Sequence, residues 1–117
     1  MSKLGFYLKS APFNSTRGET VYNLALAALD KGIHVTLFLD LDGVLNTVCT
    51  QKSIESLEMP KDRFFTLIQR GASIYLCGTC LSSFGLIDPD LIIEGVKVGS
   101  MENLATVLSE VDRLVSL

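Results

Sequence analysis

A chain of 117 residues, 48% hydrophobic and 20% charged, can bury a core of its own without disulfide or metal support, and it is too apolar to be disordered. A net charge of −3 and a pI near 5.0 leave no basic stripe to neutralise phosphates, which argues against nucleic acid as a direct ligand. No apolar run approaches the roughly 18 residues of a membrane span, no secretory pattern is visible, and three cysteines favour free thiols in a reducing cytoplasm over a disulfide framework.

In chain order, strand and helix signals alternate. Lys3 to Leu8 reads as a first strand, followed by the polar loop "KSAPFNSTRG". Thr16 and Glu19 have capping-box spacing at the mouth of a helix. Val21, Leu24, Ala25, Ala28 and Leu29 then form one amphipathic stripe, and Gly32 is the expected stop. Ile33 to Leu39 is a β-branched and aromatic run of the kind buried on both faces. Residues 43–59 read as a short helix and a loop. Pro60 suits the first turn of a helix running to Arg70 and closed by Gly71. Ser73 to Leu76 is a third strand leading into Cys77. A fourth is expected around Val96 to Val98. Leu104, Val107, Leu108 and Val111 make a last helical stripe, and Arg113 to Leu117 a closing strand. Without repeat, linker or low-complexity segment, residues 1–117 are expected to form one domain. Such alternation predicts an α/β fold, a parallel sheet with helices on both faces. Ligands in such folds gather at the carboxyl ends of the strands, here the loops 9–18, 40–52 and 77–86. The high apolar fraction is also what a subunit interface would require.

Two stretches on that edge compete for the chemistry. "LFLDLDGVLN", residues 37–46, has the wording of a phosphatase that attacks phosphorus with its first aspartate, here Asp40, and moves the leaving-group proton with the second, Asp42. That mechanism needs further acidic residues and a lysine from later strand ends. Asp88 and Asp90 are separated by a proline and follow no clear strand. The alternative is that Asp40 and Asp42 end a buried strand, turn at Gly43 and help cap the next element.

"YLCGTCLSSFG", residues 75–85, puts Cys77 where an apolar strand meets a turn. Amides of a following helix would favour a thiolate there, and would favour a persulfide anion equally. Cys80 lies about one helical turn on, placed to act as a resolving thiol. Zinc would need two more ligands, with only Cys49 and His34 to supply them. Cys49 reads as a small buried hydrophobe and His34 as a strand-end side chain. A thioredoxin-type dithiol would have its pair after an early strand and a later cis-proline, whereas the only later proline is Pro89.

Four segments in order, "SAPFNSTRGETVYNLALAALDKGIHVTLFL", "DGV", "LCGTCLSSFG" and "IEGVKVGSMENLATVL", resemble the DsrE/DsrF-like family, the small proteins of bacterial and archaeal sulfur relay, particularly its YchN-like branch. The resemblance implies a three-layer, mostly parallel five-stranded sheet and assembly as a homotrimer or a homohexamer. It implies a sulfurtransferase-like carrier of sulfane sulfur on Cys77, with Cys80 modulating or resolving the persulfide. Asn14, Arg17, Asp42, Gly43, Gly78, Thr79 and Gly85 are expected to shape the pocket, Arg17 being its nearest positive charge. Neither cofactor nor metal is expected, and sulfur donor or acceptor proteins are the expected partners. The arginine pair common in relay members is missing from Leu81 to Phe84, which argues against docking the same acidic partner. Two other functions remain open: a non-catalytic assembly or small-ligand-binding protein, and a Cys77/Cys80 dithiol oxidoreductase.

Overall fold

A computed structural model describes residues 2–117. Five strands form one sheet in the order β4-β3-β2-β1-β5: β1 Lys3–Leu8, β2 His34–Leu39, β3 Ser73–Cys77, β4 Lys97–Gly99 and β5 Arg113–Ser116. Every pairing is parallel. The helices are α1 Arg17–Asp30, α2 Pro60–Gln69, α3 Gly78–Ser83 and α4 Met101–Glu110. Leu41–Thr47 and Pro89–Leu91 form short 3-10 helices.

Right-handed crossovers decide which face each helix covers. The connections from β1 to β2 and from β2 to β3 advance in one direction, so α1 and α2 lie side by side on one face. There Val21, Ala25 and Ala28 of α1 and Phe64 and Leu67 of α2 are buried with Phe6, Leu8, Val35, Leu37, Leu39, Ile74 and Leu76 of the strands. Burying each large apolar side chain fully contributes about 1.5–3 kcal/mol, so this layer dominates the stability. The return from β4 to β5 crosses the whole sheet the other way and puts α4 on the opposite face. Val107 and Val111 there border a shallow cleft with Thr36, Ser73 and Tyr75.

Helices α1 and α2 end alike. Gly32 and Gly71 adopt φ +77° and +102°, and the two amides at each terminus return to Leu29 and Ala28, or to Ile68 and Leu67. This is the Schellman closure that a residue without Cβ allows. The entry to α1 departs from the sequence reading. Thr16 is the N-cap, but its side chain makes no capping bond, so the capping box is not formed. Ser15 Oγ instead accepts from the Arg17 amide at 3.1 Å. A reciprocal box is found at α4, where Ser100 and Asn103 cap each other. The region 43–59 holds the second half of a 3-10 helix and then a loop.

Candidate functional site

Sheet register builds the site. Leu39 pairs with Leu76, so the next residues out, Asp40 and Cys77, emerge side by side. Side chains alternate between faces along a strand, which puts Asp40 and Cys77 on the face of Phe38 and Tyr75, opposite the α1/α2 layer. On β1, Tyr7 pairs with Phe38 and shares that face, its ring centroid 6.2 Å from that of Phe38. One turn into α3, Cys80 closes the group. The Asp40 carboxylate and the sulfurs of Cys77 and Cys80 all lie within 4.8 Å of one another.

Hydrogen bonds tie the cluster together. The Tyr7 hydroxyl donates to Asp40 Oδ2 at 2.5 Å and the Cys80 thiol to Oδ1 at 3.1 Å. The Leu41 amide is shared, donating to Asp40 Oδ1 at 2.8 Å and to Cys80 Sγ at 3.2 Å. Leu41 takes φ +50° to aim that amide inward while leaving its own side chain 54% exposed. A left-handed leucine carries backbone strain of about 1–2 kcal/mol, and such strain concentrates at functional sites.

The local charges follow from these bonds. Burial, with Asp40 only 8% exposed, pushes its carboxyl up. The bonds from Tyr7, Cys80 and the Leu41 amide, with a smaller contribution from Cys77, outweigh burial and hold it below the ordinary carboxylate value. Burial, then the adjoining Cys77 and Asp40, push the Cys80 thiol up to about 12, against a smaller opposing pull from the Leu41 amide. The bond to Asp40, then burial, raises Tyr7 to about 12. At neutral pH the site therefore holds one carboxylate with a phenol and a thiol both keeping their protons.

Cys77 is the N-cap residue of α3, but its sulfur accepts no capping bond, so the amide contact expected from the sequence is not made. It is 9% exposed, at the rim of the core, with Asp40 and Cys80 beside it. Gly78 begins α3 where an added Cβ would lie 3.1 Å from Val98 Cγ1. Thr79 is exposed on the first turn, and Gly85 closes the helix through its amide to Ser82 O. Gly43 is buried. A Cβ there would lie 2.3 Å from the Leu8 carbonyl oxygen, so only glycine allows the 3-10 helix to pass over the end of β1. Asp42 is exposed and stands outside the sulfur cluster.

Asn14 and Arg17 lie elsewhere. They line an open cavity of about 690 Å³ with Phe13, Glu58 and Arg63, which none of Asp40, Cys77 and Cys80 borders. The inner part of the same loop is tied to the 3-10 helix by Asn46, a buried side chain that donates to Ser10 O at 3.1 Å and Gly43 O at 2.9 Å. Neither Asn46 nor Tyr7 is marked by any motif. The trace each leaves is a polar side chain within an apolar stretch next to a strand end.

The phosphatase arrangement does not assemble. Asp40 acts as a cap, accepting from Leu41. Asp88 caps the other 3-10 helix through the Asp90 amide at 2.9 Å. Among the described residues no second carboxylate joins Asp40 within metal-binding reach. The four-ligand zinc set does not form either. His34 is at the far end of β2, and Cys49 donates to Asp90 O. Asp40, Cys77 and Cys80 are one donor short of a closed tetrahedral site, and the carboxylate is already taken by the protons of Tyr7 and Cys80. Both cysteines are free thiols.

The sequence model of the DsrE/DsrF-like family matches residues 2–117. MJ0989 of Methanocaldococcus jannaschii is 32% identical over 116 residues, covering 97% of this chain and 98% of that protein. MK0008 of Methanopyrus kandleri is 32% identical over 110 residues, covering 92% and 88%. The crystal structure of the YchN protein from E. coli superposes over 100% of both chains with a TM-score of 0.90 at 25% identity. MTH1491 of Methanobacterium thermoautotrophicum, 14% identical, shares the fold over 100% of both chains with a TM-score of 0.81. With the model spanning the described chain and two relatives matching nearly end to end, this protein belongs to the DsrE/DsrF-like family.

Proposed function

We propose that this protein carries sulfane sulfur as a persulfide on Cys77. Its family is associated with sulfur relay in general. The observation that carries the assignment to Cys77 is the hydrogen bond from the Cys80 thiol to Asp40. A sulfur that keeps its proton is a poor nucleophile, so Cys80 takes the part of the resolving thiol and Cys77, at the end of β3 beside it, makes the first attack. Its thiolate attacks the terminal sulfur of a donor persulfide R–S–SH. The new bond gives Cys77–S–SH, and the donor leaves as RS⁻ with no net oxidation. The slight exposure of Cys77 favours a narrow donor, either a small polysulfide or a partner's persulfide presented on a loop.

Assembly belongs to the same proposal. Phe84, Val98 and Met101 are exposed apolar side chains on elements that enter or leave the cysteine edge of the sheet. A homotrimer or homohexamer that covered them would also shelter the persulfide from water. The cytoplasm, where thiols stay reduced, is the compartment in which such a carrier would work. Among the described residues no helix is long and apolar enough to cross a membrane.

The test is peptide-level mass spectrometry of the wild type and Cys80→Ser after exposure to inorganic polysulfide. The expected result is one added sulfur atom on Cys77 of Cys80→Ser, where no second thiol can displace it, that Cys77→Ser lacks. Adducts absent from Cys77 in both proteins would reject the carrier reading in favour of a non-catalytic assembly. A second reading, a dithiol oxidoreductase, is favoured by the proximity of the two sulfurs. It predicts a Cys77–Cys80 disulfide formed directly by mild oxidants, without any sulfur adduct.

A further inference from the structure

We infer that this protein also discharges its sulfur as sulfide: the Cys80 sulfur attacks Cys77 Sγ of the persulfide while Asp40 carries the Cys80 proton to the departing sulfur atom. The inference rests on the carrier reading and deepens it. It concerns Asp40 and Tyr7, neither of which takes part in bond making when sulfur is transferred to Cys77.

The geometry is that of a proton shuttle between two sulfurs. Asp40 Oδ1 already accepts the Cys80 proton, and the carboxylate lies within 4.8 Å of the Cys77 sulfur as well. As that proton leaves, negative charge grows on Cys80 Sγ, which is where the Leu41 amide points. An amide donor aimed at developing charge stabilises the transition state without reorganising. Tyr7 binds the other oxygen, Oδ2, which keeps Oδ1 turned to the thiol. Tyr7 is thus a positioning residue. The titratable groups facing Asp40 are Tyr7 from β1, Cys77 from β3 and Cys80 from α3, and the Lys9 ammonium stands 5.4 Å from the Tyr7 ring centroid.

The step balances. Cys77–S–SH first loses its proton to solvent, and Cys77–S–S⁻ and Cys80–SH then give the Cys77–S–S–Cys80 disulfide and HS⁻. The terminal sulfur departs with the electron pair of the bond that breaks, and Cys80 Sγ supplies the pair for the new one, so the terminal sulfur is reduced as Cys80 is oxidised and no outside oxidant is needed. Hydrosulfide is a weaker base than an alkyl thiolate and therefore the better leaving group. A cellular thiol reductant would reopen the disulfide for the next turnover.

The experiment loads the wild type, Cys80→Ser, Asp40→Asn and Tyr7→Phe with inorganic polysulfide under anaerobic conditions. The donor is removed by desalting, and free sulfide is followed alongside the peptide map. The wild type is expected to release one sulfide per loaded chain and to end as the Cys77–Cys80 disulfide, whereas Cys80→Ser holds its extra sulfur on Cys77. Asp40→Asn should slow release by about a hundredfold at neutral pH, the usual scale of general acid–base help. Its rate should recover as the pH rises, because hydroxide then replaces the lost base, a pH profile that mere loss of packing would not produce. Tyr7→Phe should slow release less and keep the wild-type profile. A loaded wild type that keeps sulfur on Cys77, or moves it to Cys80 without sulfide, overturns this inference and leaves the carrier reading standing. Failure of Cys80→Ser to take sulfur on Cys77 overturns both.

Discussion

Two regions at the carboxyl edge of this sheet differ in nearly every respect. The cavity between the 12–17 loop and the start of α2 is open and roomy, and Arg17, Glu19, Glu58 and Arg63 line it. The cluster at the ends of β2 and β3 is small and half-sealed, yet there a tyrosine and a thiol share their protons with one carboxylate beside a second thiol. The contrast teaches that open volume and a dense polar network arise separately in this fold. The open cavity follows from where a loop passes a helix. The cluster follows from strand register, which puts Asp40 beside Cys77 as surely as Leu39 beside Leu76.

The contrast can be broken at the backbone that separates the two regions. Gly43→Ala sets a methyl group against the Leu8 carbonyl oxygen, which cannot give way as a side chain would. A loss of about 3 kcal/mol, the top of the overpacking range, is expected in denaturant unfolding. Asn46→Ala comes next. It strips the donor from Ser10 O and Gly43 O and should cost about 2 kcal/mol. It should also loosen the loop, raising amide exchange at residues 10–17 while exchange in β3 stays unchanged.

Tyr7→Phe probes the cluster alone. Loss of a bond to a charged carboxylate should cost about 1.5 kcal/mol near neutrality. The sign with pH follows from the lowered Asp40 value. A carboxylate held below its ordinary 3.8 contributes stability that is present above that value and lost as the pH falls through the lowered one. The stability curves of the variant and the wild type should therefore converge in acid. In alkali the raised Cys80 works the other way. Its contribution is intact below the ordinary thiol value of 9.0 and lost as the pH climbs towards about 12. Cys80→Ala should flatten that limb.

The smallest effect is expected at Leu41→Gly. Relief of the left-handed strain, less the entropy cost of glycine, should stabilise the single chain by about 0.5 kcal/mol. A loss instead would mean that the exposed leucine side chain is packed against a neighbouring subunit.

How much of this was legible depends on distance along the chain. Lys3 to Leu8 coincides with β1, and Pro60 and Gly71 bracket α2, because strand composition, proline at the first helical turn and glycine at the stop are local signals. The five-stranded parallel sheet followed from the family resemblance and is what the fold displays. The partnership of Asp40 with Cys77 was not legible. Each stood out separately, but they are far apart in sequence, and only the pairing of β2 with β3 joins them. Tyr7 was hidden for the same reason, since its face is defined by its register with Phe38. Thr16 and Glu19 show the reverse error: the spacing of a capping box is local, but Ser15 serves the first turn instead. Asn14 and Arg17 sit on an adjacent strand exit, as expected, but their side chains line the cavity with α2 rather than the sulfur cluster.

The most direct measurement of the central claim, that Asp40 holds the Cys80 proton within a shared sulfur site, is cysteine-resolved alkylation across pH in the wild type and in Asp40→Asn. The account predicts that wild-type Cys80 becomes reactive only as the pH nears about 12, and that Asp40→Asn moves this transition down, while burial and Cys77 still hold it above the ordinary thiol value. Wild-type Cys80 that titrates like a free thiol at about 9.0, with no change in Asp40→Asn, would contradict it.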